Sequence, residues 1–119
     1  MQRHLLISIE PSGADSNYQV IKFDGELDKA GHTEIKEELD KIVLEFPKKT
    51  LVFDFKNLKF INSEGIGYLM EIHSHLVKTD KKLVIIGVNS HVNDVFKAIG
   101  ITQLVPLFDD FDSFLEQNK

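Results

Sequence analysis

Bulky apolar side chains recur along this chain at two periods, and the changes of period mark its elements. Leu5, Leu6, Ile7 and Ile9 predict a first strand, and Tyr18 to Phe23, with Val20 and Ile21 inside, a second. The PSGADSN between them is rich in residues that turn a chain, so the two strands are expected to form an antiparallel hairpin. Asp24-Gly25-Glu26-Leu27-Asp28 is expected to close the second strand. From Thr33 onward the period lengthens: Ile35, Leu39, Ile42, Val43 and Phe46 mark one face of a helix, and Glu34, Lys36, Glu37, Glu38, Asp40 and Lys41 the wet one. Pro47 ends it, because the proline ring disfavours helical geometry in the residue before.

The stretch from Thr50 to Lys78 organises the rest. Leu51, Val52, Phe53 and Phe55 read as a strand covered on both faces. The chain is expected to turn after Asn57 and Leu58 and to meet Asn62 and Ser63, whose side chains can cap a helix. Ile66, Leu69, Met70, His73, Leu76 and Val77 then recur at the spacing of one helical face. A buried strand thus aims the polar loop Asn62-Ser63-Glu64-Gly65 at the amino end of an amphipathic helix. Leu83 to Val88 predicts another buried strand, followed by a helix that Ser90 can cap, carrying Val92, Val95, Phe96 and Ile99, with Gly100 as its left-handed stop. Leu104 to Leu107 is expected to be a short strand at a sheet edge or strand end, because it holds Pro106. Phe108, Phe111, Phe114 and Leu115 predict a closing helix. The alternation implies parallel strands with right-handed crossovers behind the antiparallel hairpin: a single α/β domain over residues 1–119, with a mixed sheet of about five strands and about four helices.

Composition narrows the function. The 119 residues are 42% hydrophobic and 28% charged, an ordinary globular balance. A net charge of −5, from 14 basic and 19 acidic residues, argues against direct nucleic-acid binding. The apolar runs are too short for membrane insertion, which takes about 20 residues. The stretch MQRHLLISIEPSG likewise lacks the apolar run and cleavage site of a secretory signal. The absence of cysteine excludes thiol chemistry and fits a cytoplasmic location.

Candidate chemistry is sparse. His73 and His75 lie two apart on a helix and point to different sides, while His4, His32 and His91 stand alone, so no metal site is expected. Gly65-Ile66-Gly67 lacks the third glycine and the lysine of a phosphate loop, and no cofactor is expected. Asp109, Asp110 and Asp112 favour the start of the last helix. No nucleophile elbow or triad occurs, and the chain is not expected to be an enzyme.

Gly25-Glu26-Leu27-Asp28, Leu51-Val52-Phe53-Asp54-Phe55 and Phe60-Ile61-Asn62-Ser63-Glu64-Gly65-Ile66-Gly67-Tyr68-Leu69, in that order and spacing, resemble the STAS family of anti-sigma-factor antagonists. The likeness covers almost the whole chain, through Leu83-Val84-Ile85-Ile86 and the helix after it. It implies a partner-switching regulator that binds an anti-sigma factor with serine kinase activity while one serine is bare. Phosphorylation of that serine ends the binding, and a PP2C-type phosphatase restores it. The serine's counterpart is Ser63, so Ser63 is the implied phosphoacceptor. The implied partner surface comprises Asp28, Asn62, Ser63, Glu64, Gly65, Ile66, Gly67 and Met70, on a monomer or weak dimer.

The family's usual Asp-Ser-Ser/Thr-Gly reads Asn62-Ser63-Glu64-Gly65 here. Asn62 keeps the hydrogen-bonding capacity and drops a charge. A phosphate on Ser63 would carry about −1.5 to −2 charges; at ~6 Å in water each unit repels Glu64 by roughly 0.7 kcal/mol. The helix amino end returns about 0.3 to 1 kcal/mol, so the two nearly offset. The alternative is a non-phosphorylated structural or accessory subunit of a transporter or signalling scaffold, with Glu64 as a standing charge. Taken alone, Ser63 could simply be a helix cap worth about 1 kcal/mol, and Asp28 the cap of the first helix. Gly65 and Gly67 each cost about 1 kcal/mol against alanine in a helix. Two reasons are open for them: close approach to the sheet, and a smooth docking surface.

Overall fold

The computed structural model describes residues 3–118. Met1, Gln2 and Lys119, the ends of the expected 1–119 domain, lie outside the described residues. The chain runs β1 (Leu5–Glu10), β2 (Tyr18–Leu27), α1 (Lys29–Leu44), β3 (Thr50–Ile61), α2 (Ser63–Lys78), β4 (Lys82–Ile86), α3 (Ser90–Ile99), a 3-10 turn (Ile101–Gln103), β5 (Leu107–Phe108) and α4 (Phe111–Gln117). The five strands lie side by side in sequence order, β1 antiparallel to β2 and all other neighbours parallel. The expected mixed sheet of five strands with four helices is what forms.

Alternating side chains divide the core between the two faces of the sheet. Ile21, Phe23, Leu51, Phe53, Phe55, Leu83 and Ile85 join Ile35 and Leu39 of α1, Leu69, Ile72 and Leu76 of α2, and Val92 and Phe96 of α3 in the larger cluster. Val20, Val52, Val84 and Ile86 meet Phe114 of α4 in a smaller one. Both faces of β3 and β4 are therefore covered, which is why those strands read as continuous apolar runs.

Several boundaries differ from the sequence reading. β2 continues past Phe23 to Leu27, inside the stretch expected to close it, and Leu27 pairs with Ile61. Gly25, at φ +131°, lets the backbone continue where side chains carry no apolar signal, and the pairing with β3 shifts register around it. Helix α1 starts at Lys29 rather than near Thr33, because Asp28 caps it by accepting from Gly31 N. β3 likewise runs straight through the turn expected at Asn57 and Leu58, with Leu58 and Ile61 buried as its last anchors. The strand expected over Leu104 to Leu107 is a 3-10 turn, an exposed Leu104, a buried Val105 and a two-residue β5. Pro106 sits just ahead of that strand, where its carbonyl accepts from Ile85 N at 3.1 Å and its missing N–H costs nothing. Phe108 belongs to β5, not to the closing helix. Asn89 caps α3 in place of Ser90, accepting from Val92 N, whereas Gly100 is left-handed at φ +74° as expected.

Candidate functional site

Strands β2, β3 and β4 are parallel, and each hands directly to a helix packed on the same face. The amino ends of α1, α2 and α3 consequently gather at one end of the sheet. Each is capped by the residue next to it: Asp28, Asn62 and Asn89. Asn62 N donates to Leu27 O at 3.4 Å, fixing the start of α2 beside the start of α1, and Asn89 Nδ2 donates to Leu58 O at 3.0 Å. In open α/β sheets this end, beyond the carboxyl termini of the strands, is where ligands bind.

Asn62 accepts from Glu64 N and Gly65 N, both at 3.1 Å. The capping that the sequence divided between Asn62 and Ser63 therefore falls to Asn62 alone. Ser63 becomes the first helical residue, exposed, with a hydroxyl that makes no hydrogen bond among the described residues. A cap role for Ser63 is thereby removed. Glu64 is exposed too, and its Oε2 lies 3.8 Å from Nδ1 of His32 on α1.

The two glycines, for which the sequence left the same two reasons open, part company. A Cβ at Gly65 would stand 2.3 Å from Leu27 O, 2.8 Å from Ile61 Cγ1 and 2.9 Å from Leu27 Cγ, so this glycine permits α2 to touch the strand ends. It is buried and offers a partner no surface. A Cβ at Gly67 would meet nothing within 4 Å, and Gly67 is exposed. With Met70, Glu71, Ser74, His75 and Lys78 it lines a shallow groove along α2. Ile66 and Met70 are half-buried against the core. The buried face of α2 is Gly65, Tyr68, Leu69, Ile72 and Leu76, rotated from the expected one; Val77 is 54% exposed.

Tyr68 carries more of the site's order than its sequence suggests. Its hydroxyl donates to Asp40 Oδ1 at 2.8 Å, tying α2 to α1, and Lys36 donates to the same carboxylate at 2.6 Å. Burial, then the bond to Asp40, pushes the phenol well above its ordinary range. Desolvation raises Asp40, but the bonds from Lys36 and Tyr68 outweigh it and hold the carboxyl below its usual value.

The histidines expected to stand alone do not. His32 packs against Tyr68 with ring centroids 4.2 Å apart and planes tilted by 42°, and its buried Nε2 has no partner among the described residues. His91 stacks on the exposed Phe60, centroids 5.5 Å apart and planes 14° from parallel. His4 Nε2 lies 2.8 Å from Asp28 Oδ2 and 3.0 Å from Glu26 Oε2. The hydrogen bond with Asp28 raises the His4 pKa against a smaller desolvation effect. On Asp28, desolvation is outweighed by the Gly31 N–H and by His4, leaving the carboxyl below its ordinary range. His32, His91 and His4 carried no periodic or motif signal; each acquires its neighbours only through tertiary pairing.

No helix among the described residues is long and apolar enough to cross a membrane. An anti-sigma-B factor antagonist of Staphylococcus aureus is 28% identical over 99 residues, 83% of this chain and 90% of that protein. A solved anti-sigma factor antagonist from Mycobacterium paratuberculosis superposes with a TM-score of 0.82 at 18% identity, covering 95% of this chain and 92% of that one. A Bacillus cell fate determinant solved in its phosphorylated form gives a TM-score of 0.69 at 17% identity, covering 96% and 100%. At these identities the two structures establish the fold. The sequence model of the STAS domain matches residues 11–114, which hold β2 to β5 and every helix at this end of the sheet, and the chain belongs to the STAS domain family.

Proposed function

We propose that this STAS domain is an anti-sigma-factor antagonist. A partner protein, an anti-sigma factor with serine kinase activity, docks over the start of α2 and is released when Ser63 is phosphorylated. The observation that carries this reading is the exposed, unengaged hydroxyl of Ser63 at the first position of α2. Around it lie Asn62, Glu64, Gly67 and the flanks of Ile66 and Met70, with Asp28 at the adjoining helix start. Gly65 shapes this surface from beneath. The names of the curated relatives support the role, and the phosphorylated Bacillus neighbour supports the switch.

The electrostatics suit an off-switch. A bare hydroxyl costs little to cover, whereas a phosphate of about −1.5 to −2 charges must be desolvated when a partner closes over it. Glu64 adds a like charge beside it, partly drawn aside towards His32. The gathered helix amino ends keep the unbound phosphoprotein stable, so the penalty falls on the complex. A PP2C-type phosphatase would restore binding. The module acts in the cytoplasm, as a monomer or weak dimer, by binding rather than by catalysis.

The test is incubation with the cognate kinase and ATP, followed by mass spectrometry and affinity measurement. Phosphate is expected on Ser63, with Ser63→Ala binding the partner like wild type and Ser63→Asp binding at least tenfold more weakly. No phosphate on Ser63 in an active system removes the switch. Equal binding by Ser63→Ala and Ser63→Asp transfers the chain to the reading as a non-switching accessory subunit, which Glu64 favours.

A further inference from the structure

We propose that the imidazole of His4 and the carboxylates of Glu26 and Asp28 form a binding site for a divalent transition-metal ion of the zinc type. The three side chains come from three places in the chain: the residue ahead of β1, the end of β2 and the cap of α1. Their ligand atoms lie within 4.8 Å of one another, with His4 Nε2 at 2.8 Å from Asp28 Oδ2 and 3.0 Å from Glu26 Oε2. Ligands on a tetrahedral zinc ion with bonds of about 2.0–2.1 Å stand roughly 3.3 Å apart. The two distances from His4 Nε2 to the carboxylates therefore need to open by only a few tenths of an ångström to admit the ion.

Charge and chemistry agree. Neutral imidazole with two carboxylates carries a charge that a dication balances, and one nitrogen with two oxygens is a donor set suited to borderline zinc. Among the described residues neither Glu26 nor Asp28 pairs with a lysine or arginine; both converge on the single Nε2 of His4. One imidazolium N–H cannot serve two carboxylates well, whereas one metal ion binds both directly.

The supporting shell is built. Gly31 N donates to Asp28 Oδ1 at 3.0 Å, orienting that carboxylate and leaving Oδ2 for the ion. Glu34 Oε1 accepts from His4 N at 2.7 Å and Leu5 N at 2.9 Å, pinning the segment that carries His4 to α1. A Cβ at Gly25 would lie 2.3 Å from His4 O, so only glycine lets β1 and β2 approach this closely, and Glu26 N donates to His4 O at 3.2 Å. The pairing of β2 with β3 shifts register between Gly25 and Glu26, where the Glu26 carboxylate meets the histidine. Side-chain exposures of 36% for His4, 42% for Glu26 and 22% for Asp28 leave a path for the ion and room for water as the fourth ligand. An ion here would fasten the edge strand β1 to β2 and α1.

The test is competition for zinc chloride between the untagged chain and a colorimetric chelator, for wild type, His4→Gln, Glu26→Gln and Asp28→Asn. Asparagine still caps α1, so the last variant stays folded. One equivalent of zinc is expected on the wild type, with each substitution weakening uptake at least about tenfold, as loss of even a ligand's supporting group does. His4 ring resonances should shift with zinc in the wild type. No uptake by the wild type overturns the proposal, as does uptake that persists in all three variants. Loss in His4→Gln alone, with both carboxylate variants unchanged, overturns it equally. None of these readouts involves the partner protein, so failure here leaves the proposed switching untouched.

Discussion

Two glycines two residues apart on α2 should respond to alanine with opposite sign. At Gly67 no heavy atom lies within 4 Å of the new methyl group, so only the backbone term remains. Alanine there should stabilise by about 0.5–1 kcal/mol. At Gly65 the same backbone gain meets three obstacles: Leu27 O at 2.3 Å, Ile61 Cγ1 at 2.8 Å and Leu27 Cγ at 2.9 Å. None is the free end of a flexible side chain. Leu27 and Ile61 are buried and paired across the last rung of β2 and β3, and the Leu27 carbonyl also accepts from Asn62 N at the start of α2. Relief requires lifting α2 off the strand ends, and overpacking of this kind costs about 1–3 kcal/mol or more. A cost at or just above the top of that range, about 3–4 kcal/mol, applies because a backbone atom is involved, leaving a net loss of about 2–3 kcal/mol after the helix-propensity gain. Urea denaturation of the two variants with wild type as reference, at unchanged m-value, gives the comparison. In a thermal melt Gly65→Ala should fall by roughly 8–12 °C and Gly67→Ala should rise by about 2–4 °C, at about 4 °C per kcal/mol for a chain of this size. A Gly65→Ala protein as stable as wild type would refute the close-approach account. A destabilised Gly67→Ala would refute the open surface on which docking depends.

The cap at Asn62 predicts that Asn62→Ala loses about 1 kcal/mol in denaturant titrations, with fraying of the first turn of α2 visible in amide exchange. Asn62→Asp, which restores the family's usual residue, should stay within about 0.5 kcal/mol of wild type, because the capping oxygen is kept and the gain from the helix dipole is opposed by Glu64. Tyr68→Phe removes the 2.8 Å bond to Asp40 and should cost about 1 kcal/mol, discounted because Asp40 keeps Lys36 and some water. The same carboxylate sets a pH limit: its folded pKa lies below the ordinary 3.8, so its contribution is complete above that value and is lost as pH falls through the lowered one. Acid unfolding of Tyr68→Phe followed by circular dichroism should accordingly lose less stability across that window than wild type. An identical acid limb would remove Tyr68 from the account of Asp40.

What the sequence made legible divides along a physical line. Leu51 to Phe55 and Leu83 to Ile86 could be read as buried strands because their side chains, apolar on both faces, are what hold them in place. Asp24 to Glu26 could not, because there the backbone alone pairs, with Gly25 at a φ that no side-chain pattern records. The face of α2 came out rotated for a related reason. Periodicity weighs hydrophobicity, which Gly65 lacks, yet the contact of its bare backbone with Leu27 sets how the helix sits. Tyr68 follows it inward because its hydroxyl finds Asp40 on another helix, a partner invisible to any local window.

The same division governs the site. The place of Ser63 was legible because strand, cap and helix are consecutive in sequence, and the exposure that follows from it needs only that Asn62 take the cap first. The grouping of His4, Glu26 and Asp28 was not, because it depends on the pairing of Leu5 with Gly25, which brings His4 against the end of the second strand. Three titratable groups that look unrelated in the linear order become one cluster through a register that a turn fixes and a glycine allows. Local order can therefore place a residue that acts from its own segment, whereas a site assembled across strands is encoded in the pairing. In this chain the modification site proposed at Ser63 is of the first kind and the metal site proposed at His4 is of the second.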